Sequence, residues 1–403
     1  MPTQALADLK VLDLTHYIAG PYCTKLMADF GAEVIKVERP GRGDGARHIG
    51  PFYKDSPHPE KSGLFLYLNT NKRSLTLNLK SRQGVSTFKE LVKRADLVVE
   101  NFRPAVMPSL GLTYEALDEL NPRLVMTSIS NFGQTGPYRD YKADEMVPYA
   151  LSGLMYSSGL ADRPPIKIGA NMIQYQAGSM AALHSLIALH AAEVRGRGEH
   201  VDVSIAEVQA GSIDRGGPML LSYQYTGQST QRGYQQRHGG DFVRRCKDGY
   251  LNITPYVEFV PRALRMIGRS DLLEDPRFAT PEAQAQQENV EIFDSMFEPW
   301  LLEHTVEEVW MAAQRERLLS GPVNTSKQLA ADPNFSARGY WPEVERAHVG
   351  KLAYPGRPFV LTDAPWSLKR PAPTLGEHNL EIYCGLLGYS RGNLVKLRES
   401  GII

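Results

Sequence analysis

The sequence predicts an α/β protein built on a parallel, doubly wound sheet, and three observations carry that reading. Strand-like and helix-like patterns alternate through the first third of the chain, and strands joined through helices come to lie parallel. A length of 403 residues exceeds one ordinary core and divides into two domains. The composition, 42% hydrophobic and 22% charged, is that of a globular protein able to bury such cores.

The elements follow in order. "KVLDL" (10–14) reads as a buried strand. The loop "THYIAGP" leads from it into a helix from about Tyr22 to Phe30, with Pro21 at the first helical position, where its missing N–H costs nothing. Gly31 ends that helix, and "EVIKVE" (33–38) is the next strand. "SLTLNL" (74–79), "DLVVEN" (96–101) and "RLVMTSIS" (123–130) complete the set, with a helix over 81–95 between the first two. A long helix over 173–194 precedes "RGRGEHVDVSIAEV", a basic glycine-rich turn leading into a further strand and helix. The stretch 211–245, rich in Gly, Gln, Arg and Ser, reads as a linker or mobile loop. "DGYLNITPY" then opens a smaller unit, and a Pro-rich tail of loops and short strands follows from about 320.

Several functions are excluded early. Basic and acidic residues number 45 each, which leaves no field to attract nucleic acid or an anionic membrane. No apolar run reaches membrane-spanning length, and "MPTQALADLKVLDL" lacks the plan of a signal peptide. Cys23, Cys246 and Cys384 are odd in number and outside any CxxC spacing, which predicts reduced thiols in a cytoplasmic protein with neither disulfide nor metal. His184 and His190 are six apart on one helix, the wrong spacing for a shared metal.

Ligands of doubly wound sheets bind beyond the carboxyl ends of the strands. Those ends carry Thr15 and His16, Arg39, Asn101 and Arg103, and Asn131, groups suited to phosphate and amide recognition. A dinucleotide enzyme is disfavoured, because "THYIAGPYC" offers one glycine where the GxGxxG turn needs three, and Glu38 is the only hint of a ribose-binding acid.

The segments "GPYCTKLMADFGAEVIKVERPGRGD", "NTNKRSLTLNLK", "VVENFRP", "LGLTYEALDELNPRLVMTSISNFGQTGP" and "GRGEHVDVSIAEV", with the closing "LGEHN", resemble the family III CoA-transferases of the CaiB/BaiF type. The likeness is collinear over nearly the whole chain. It implies a large Rossmann-like domain (1–225 with 319–403), a small α/β domain (226–318), and two chains interlocked as a ring-through-ring dimer. It also implies coenzyme A or acyl-CoA, with a carboxylic acid, as substrates. Matched position by position, the family's CoA contacts fall on His16, Tyr17, Ile18, Arg39, Lys72, Arg73, Asn101, Arg103 and Lys142. Guanidinium groups suit the phosphates of CoA, which they bind bidentately. The family's glycine-rich loop over the site corresponds to "RHGGD" (237–241).

The resemblance further implies a catalytic aspartate, whose carboxylate attacks the thioester to form a mixed anhydride and release CoA thiolate. That aspartate opens a helix four residues before a glycine. Counting back from Gly178 lands on Gln174, and no Asp or Glu lies between Arg163 and Glu193. A carboxamide cannot form the anhydride without losing its nitrogen, though it can hydrogen-bond a thioester carbonyl. Gln176 lies about 200° further round the helix and reads as an exposed or capping amide. Glu145, after Asp144 in "YKADEMVPYALSG", is the candidate substitute acid. Family racemases pair a histidine with the aspartate, and both are missing here. One family member, succinyl-CoA:(R)-benzylsuccinate CoA-transferase, is heteromeric, and this chain resembles its acid-lacking subunit. The expected partner is therefore a homologous Asp-bearing subunit, with self-pairing as the alternative. Tyr149, Tyr156 and Tyr175 are either core residues or the lining of an apolar acyl site.

Overall fold

The computed structural model describes residues 4–211, 216–229, 242–347 and 349–403. The expected loop at 237–241 lies outside them. Contacts divide the described residues into two compact units, one from Met1–Ser158, Pro165–Ser229 and Gly339–Ile403, the other from Gly159–Pro164 and Thr230–Arg338.

The first unit runs β1 (Lys10–Asp13), α1 (Ala19–Ala28), β2 (Glu33–Glu38), α2 (Gly63–Leu68), β3 (Arg73–Thr76), α3 (Arg82–Val92), β4 (Leu97–Glu100), α4 (Val106–Ser109), α5 (Tyr114–Asp118), β5 (Val125–Ser130), α6 (Met146–Leu151), α7 (Met172–Arg195), β6 (His200–Ser204) and α8 (Ile205–Gly211). Its sheet has the order β3-β2-β1-β4-β5-β6, and every neighbouring pair is parallel. Strand order reverses between β1 and β4, which opens a crevice at their carboxyl ends.

Both faces of the sheet are covered, so β4 and β5 are apolar or neutral along nearly their whole length and fully buried. Side chains alternate between faces. Val11, Val34, Leu97, Val99 and Val125 pack with Cys23 and Met27 of α1 and Ala177 and Ala181 of α7. On the other face Leu12, Ile35, Leu75, Val98 and Met126 meet Phe88 and Leu91 of α3. Gly178 lets α7 lie directly on α1, since a Cβ there would stand 2.5 Å from the Ala19 carbonyl oxygen.

Helix α1 starts at Ala19, which places Pro21 third in the helix instead of first. The Tyr22 N–H, donating to Ile18, is the first to pair within the helix. The missing Pro21 N–H is thus still one that the first turn leaves unbonded.

The second unit holds an antiparallel sheet of Val243–Arg245, Tyr250–Ile253 and Ser320–Pro322. It packs with helices that include Gln287–Glu303 and Val306–Arg315. Among the described residues no helix is long and apolar enough to cross a membrane.

Candidate active site

A cavity of about 800 Å³ opens at the carboxyl ends of β1, β4 and β5, wholly within the first unit. Tyr17 and Ile18 follow β1, the continuous segment Asn101–Val106 follows β4, and Ser130 and Asn131 close β5. Arg139, Tyr141 and Glu145 come from the connection to α6, and Asn171 and Gln174 from the start of α7.

The wall after β1 is held by buried charges. Asp13 accepts the Thr15 N–H at 2.8 Å and the Thr15 hydroxyl at 2.5 Å. Its other oxygen accepts from Thr24 at 2.7 Å and from the Lys72 ammonium at 2.9 Å. Burial alone would raise the Asp13 pKa, but Lys36, Lys72 and the two hydroxyls outweigh it and hold the carboxyl at about 2. Lys36 donates to the Thr15 carbonyl at 2.8 Å and pairs with Asp44 at 2.9 Å. Asp44 in turn accepts the N–H groups of Tyr17 at 2.9 Å and Ala46 at 2.8 Å. Tyr17 is thereby kept at φ +67°, a conformation unfavourable for a side-chain-bearing residue. Asn101 clamps the same loop from β4, accepting the His16 N–H and donating to the His16 carbonyl, both at 2.8 Å. Sequence reasoning missed Asp13, Lys36 and Asp44. The available signal was a charge interrupting each of the apolar strands "KVLDL" and "EVIKVE".

Gln174 is the third residue of α7, and no side chain caps that helix start. Helix geometry puts Gln174 one turn before Gly178 on the same face, toward the start of α1 and the cavity. Glu145 meets it there. The Glu145 Oε1 accepts the Ile173 N–H at 3.3 Å and lies 4.0 Å from Lys167. Burial raises the Glu145 pKa, against the Ile173 N–H, Lys167 and the nearby Gln174 amide. Its Oε2 is buried without a hydrogen-bond partner, as are the Ser130 hydroxyl and the Arg139 Nε on the same cavity. Such orphaned polar atoms suit a ligand that supplies the missing partners.

Of the residues singled out in the sequence, Tyr17, Ile18, Asn101, Arg103, Asn131, Asp144, Glu145 and Gln174 share this cavity. His16 stands behind its wall, 3.6 Å from Asp44 and packed against Phe102. Arg39 and Lys142 are exposed on neighbouring loops, outside the lining. Lys72 is fully buried on Asp13, the Pro21 carbonyl and Asn69. Arg73 pairs with Glu33 and Glu381 at the opposite end of its strand. Glu38 is taken up by Arg47 at 2.8 Å. Tyr149 is a core residue bonded to Ser158, Tyr175 packs edge-on against Tyr22, and Tyr156 is exposed, so none of the three lines the cavity.

A doubly wound domain with a polar, partly orphaned cavity at its switch point has its cavity where such folds bind their ligands. The chain belongs to CoA-transferase family III, whose model matches residues 6–379. It is 34% identical to succinyl-CoA–D-citramalate CoA-transferase of Chloroflexus aurantiacus, over 100% of this chain and 99% of that protein. It is 31% identical to subunit BbsE of succinyl-CoA:(R)-benzylsuccinate CoA-transferase of Thauera aromatica, over 98% of each. Among solved structures, a CaiB/BaiF family protein from Brucella suis superposes with a TM-score of 0.83 at 28% identity, covering 96% of this chain and 99% of the other.

Proposed function

We propose that this chain binds an acyl-CoA in the cavity and serves as the acid-lacking subunit of a heteromeric CoA-transferase, a homologous Asp-bearing chain supplying the nucleophile. The carrying observation is Gln174, an amide in the first turn of α7 facing the cavity where the family resemblance requires a carboxylate. Arg103, Arg39 and Lys142 hold the phosphates, while Asn101, Tyr17 and Ile18 shape the pocket for the pantetheine arm. Lys72 and His16 act from behind, through Asp13 and Asp44, and Arg73 fastens β3 at its other end. Gln174 donates its amide hydrogen to the thioester carbonyl without attacking it. The named subunit among the relatives supports a heteromer, as does the interlocked dimer implied by the family, since two homologous chains can entwine as readily as two copies.

One observation favours a second reading, in which the chain works alone through Glu145. Its carboxylate stands beside Gln174 with one oxygen unsatisfied. The two readings separate cleanly. On the first, the isolated chain exchanges no CoA between an acyl-CoA and a carboxylic acid, an Asp-bearing homologue copurifies with it, and Gln174→Asp confers exchange. Robust exchange by the isolated wild type, abolished by Glu145→Gln, overturns the first reading and establishes the second.

A further inference from the structure

Glu100 ends β4, on one side of the crevice, and is 2% exposed. Among the described residues no Lys or Arg pairs with it. Its Oε2 accepts the Phe102 N–H at 2.7 Å, and Ser128, its register partner on β5, sets a hydroxyl beside the same carboxylate. Ser128 is also bonded to His200 of β6 at 2.9 Å, and Asp202, two residues along β6, adds a like charge. Tyr114 stacks on His200 from the far side. Burial, reinforced by Asp202 and opposed by Ser128 and the Phe102 N–H, pushes the Glu100 pKa up to about 7.

An uncompensated buried carboxylate is costly, and a glutamine of the same shape would keep the Phe102 hydrogen bond without the charge. The charge acts on one group of consequence. Phe102 follows Asn101, which clamps the His16 loop, and precedes Arg103. Together Asn101–Val106 form an unbroken wall of the cavity.

We propose that Glu100 is a positioning residue: its ionised carboxylate tightens the Phe102 N–H bond that sets the 101–106 wall, and so couples CoA affinity to pH. The inference rests on the reading of the cavity as a CoA site. A charge-assisted hydrogen bond is roughly twice as strong as a neutral one, so protonating Glu100 loosens the wall and leaves the bond in place.

The test is calorimetric titration with CoA at about pH 5.5 and about pH 8.5 on wild type, Glu100→Gln and Glu100→Ala, in whichever oligomer the chain purifies. CoA's own phosphates titrate alike in each case, so the ratio of affinities isolates Glu100. Wild type and Glu100→Gln should bind equally at the lower pH, and wild type about fivefold more tightly at the higher. Glu100→Ala, lacking any acceptor for Phe102, should bind more weakly at both. A wild-type to Glu100→Gln ratio that stays constant with pH, or tighter binding by Glu100→Gln at the higher pH, overturns the proposal and leaves the CoA site standing. Absence of CoA binding by the wild type at either pH overturns both.

Discussion

Gly178 offers a sharp test of how the cavity is built. A methyl group at this position would sit 2.5 Å from the Ala19 carbonyl oxygen and 3.2 Å from the Tyr22 Cβ. Ordinary contact begins at 3.4 Å, so in Gly178→Ala helix α1 must retreat by roughly 1 Å from α7. Overpacking of this kind costs about 1–3 kcal/mol. The better helix propensity of alanine returns up to about 1 kcal/mol, so at the middle of the range the net loss is about 1 kcal/mol, rising to about 2 kcal/mol where the strain is largest. Ala19 lies on the cavity wall next to Ile18, so the displacement should also weaken CoA binding. Urea denaturation followed by circular dichroism reads the first effect, and calorimetric titration with CoA the second. A Gly178→Ala protein that unfolds at or above the wild-type midpoint, with unchanged CoA affinity, would refute the claim that helix-to-helix contact at this glycine fixes the wall.

Three further outcomes are expected. Lys72→Met leaves Asp13 with only Lys36, 3.8 Å away, as a cation and should lower stability by about 3–5 kcal/mol in chemical denaturation. Because the Asp13 carboxyl is held below its ordinary value, its stabilisation is full above about pH 4 and fades as pH falls toward 2, so Lys72→Met should also unfold in acid at higher pH than wild type. Arg103→Ala removes an exposed cavity guanidinium and should weaken CoA binding about tenfold or more, with a shallower salt dependence. For Glu100, whose pKa rises from 4.5 to about 7 on folding, the neutral form is favoured and stability falls as pH climbs between those values. Glu100→Gln should therefore be more stable than wild type at about pH 8, by roughly 3 kcal/mol, and little different at about pH 4.5. A purely structural residue would not gain stability while losing ligand affinity.

The strands were legible because they are buried on both faces. Runs such as "EVIKVE" and "RLVMTSIS" leave little room for another reading, and β2 spans the expected residues without change. Helix α1 was harder to bound, since its N-cap, Ile18, has no capping side chain and Pro21 suits any position in the first turn. At the site, loops leaving strand ends are short, so residues such as Asn101, Arg103 and Asn131 could be assigned to one edge before any coordinates. The amide at position 174 was likewise visible, because the family resemblance expects a carboxylate four residues before Gly178 and the count lands on Gln174.

By itself, then, the sequence determined the parallel sheet, the edge on which the cavity opens and the absence of an acid at position 174. These are local properties, governed by periodicities of two and 3.6 residues. Only the tertiary structure decided which charges face the cavity and which are consumed within the protein. Lys72 belongs to Asp13, 59 residues earlier, and Arg73 to Glu381, 308 residues later. Glu145 meets Gln174 and Glu100 meets Ser128 for the same reason. The partner of a buried charge is chosen by the crossovers that bring distant segments together, and no local pattern records that choice.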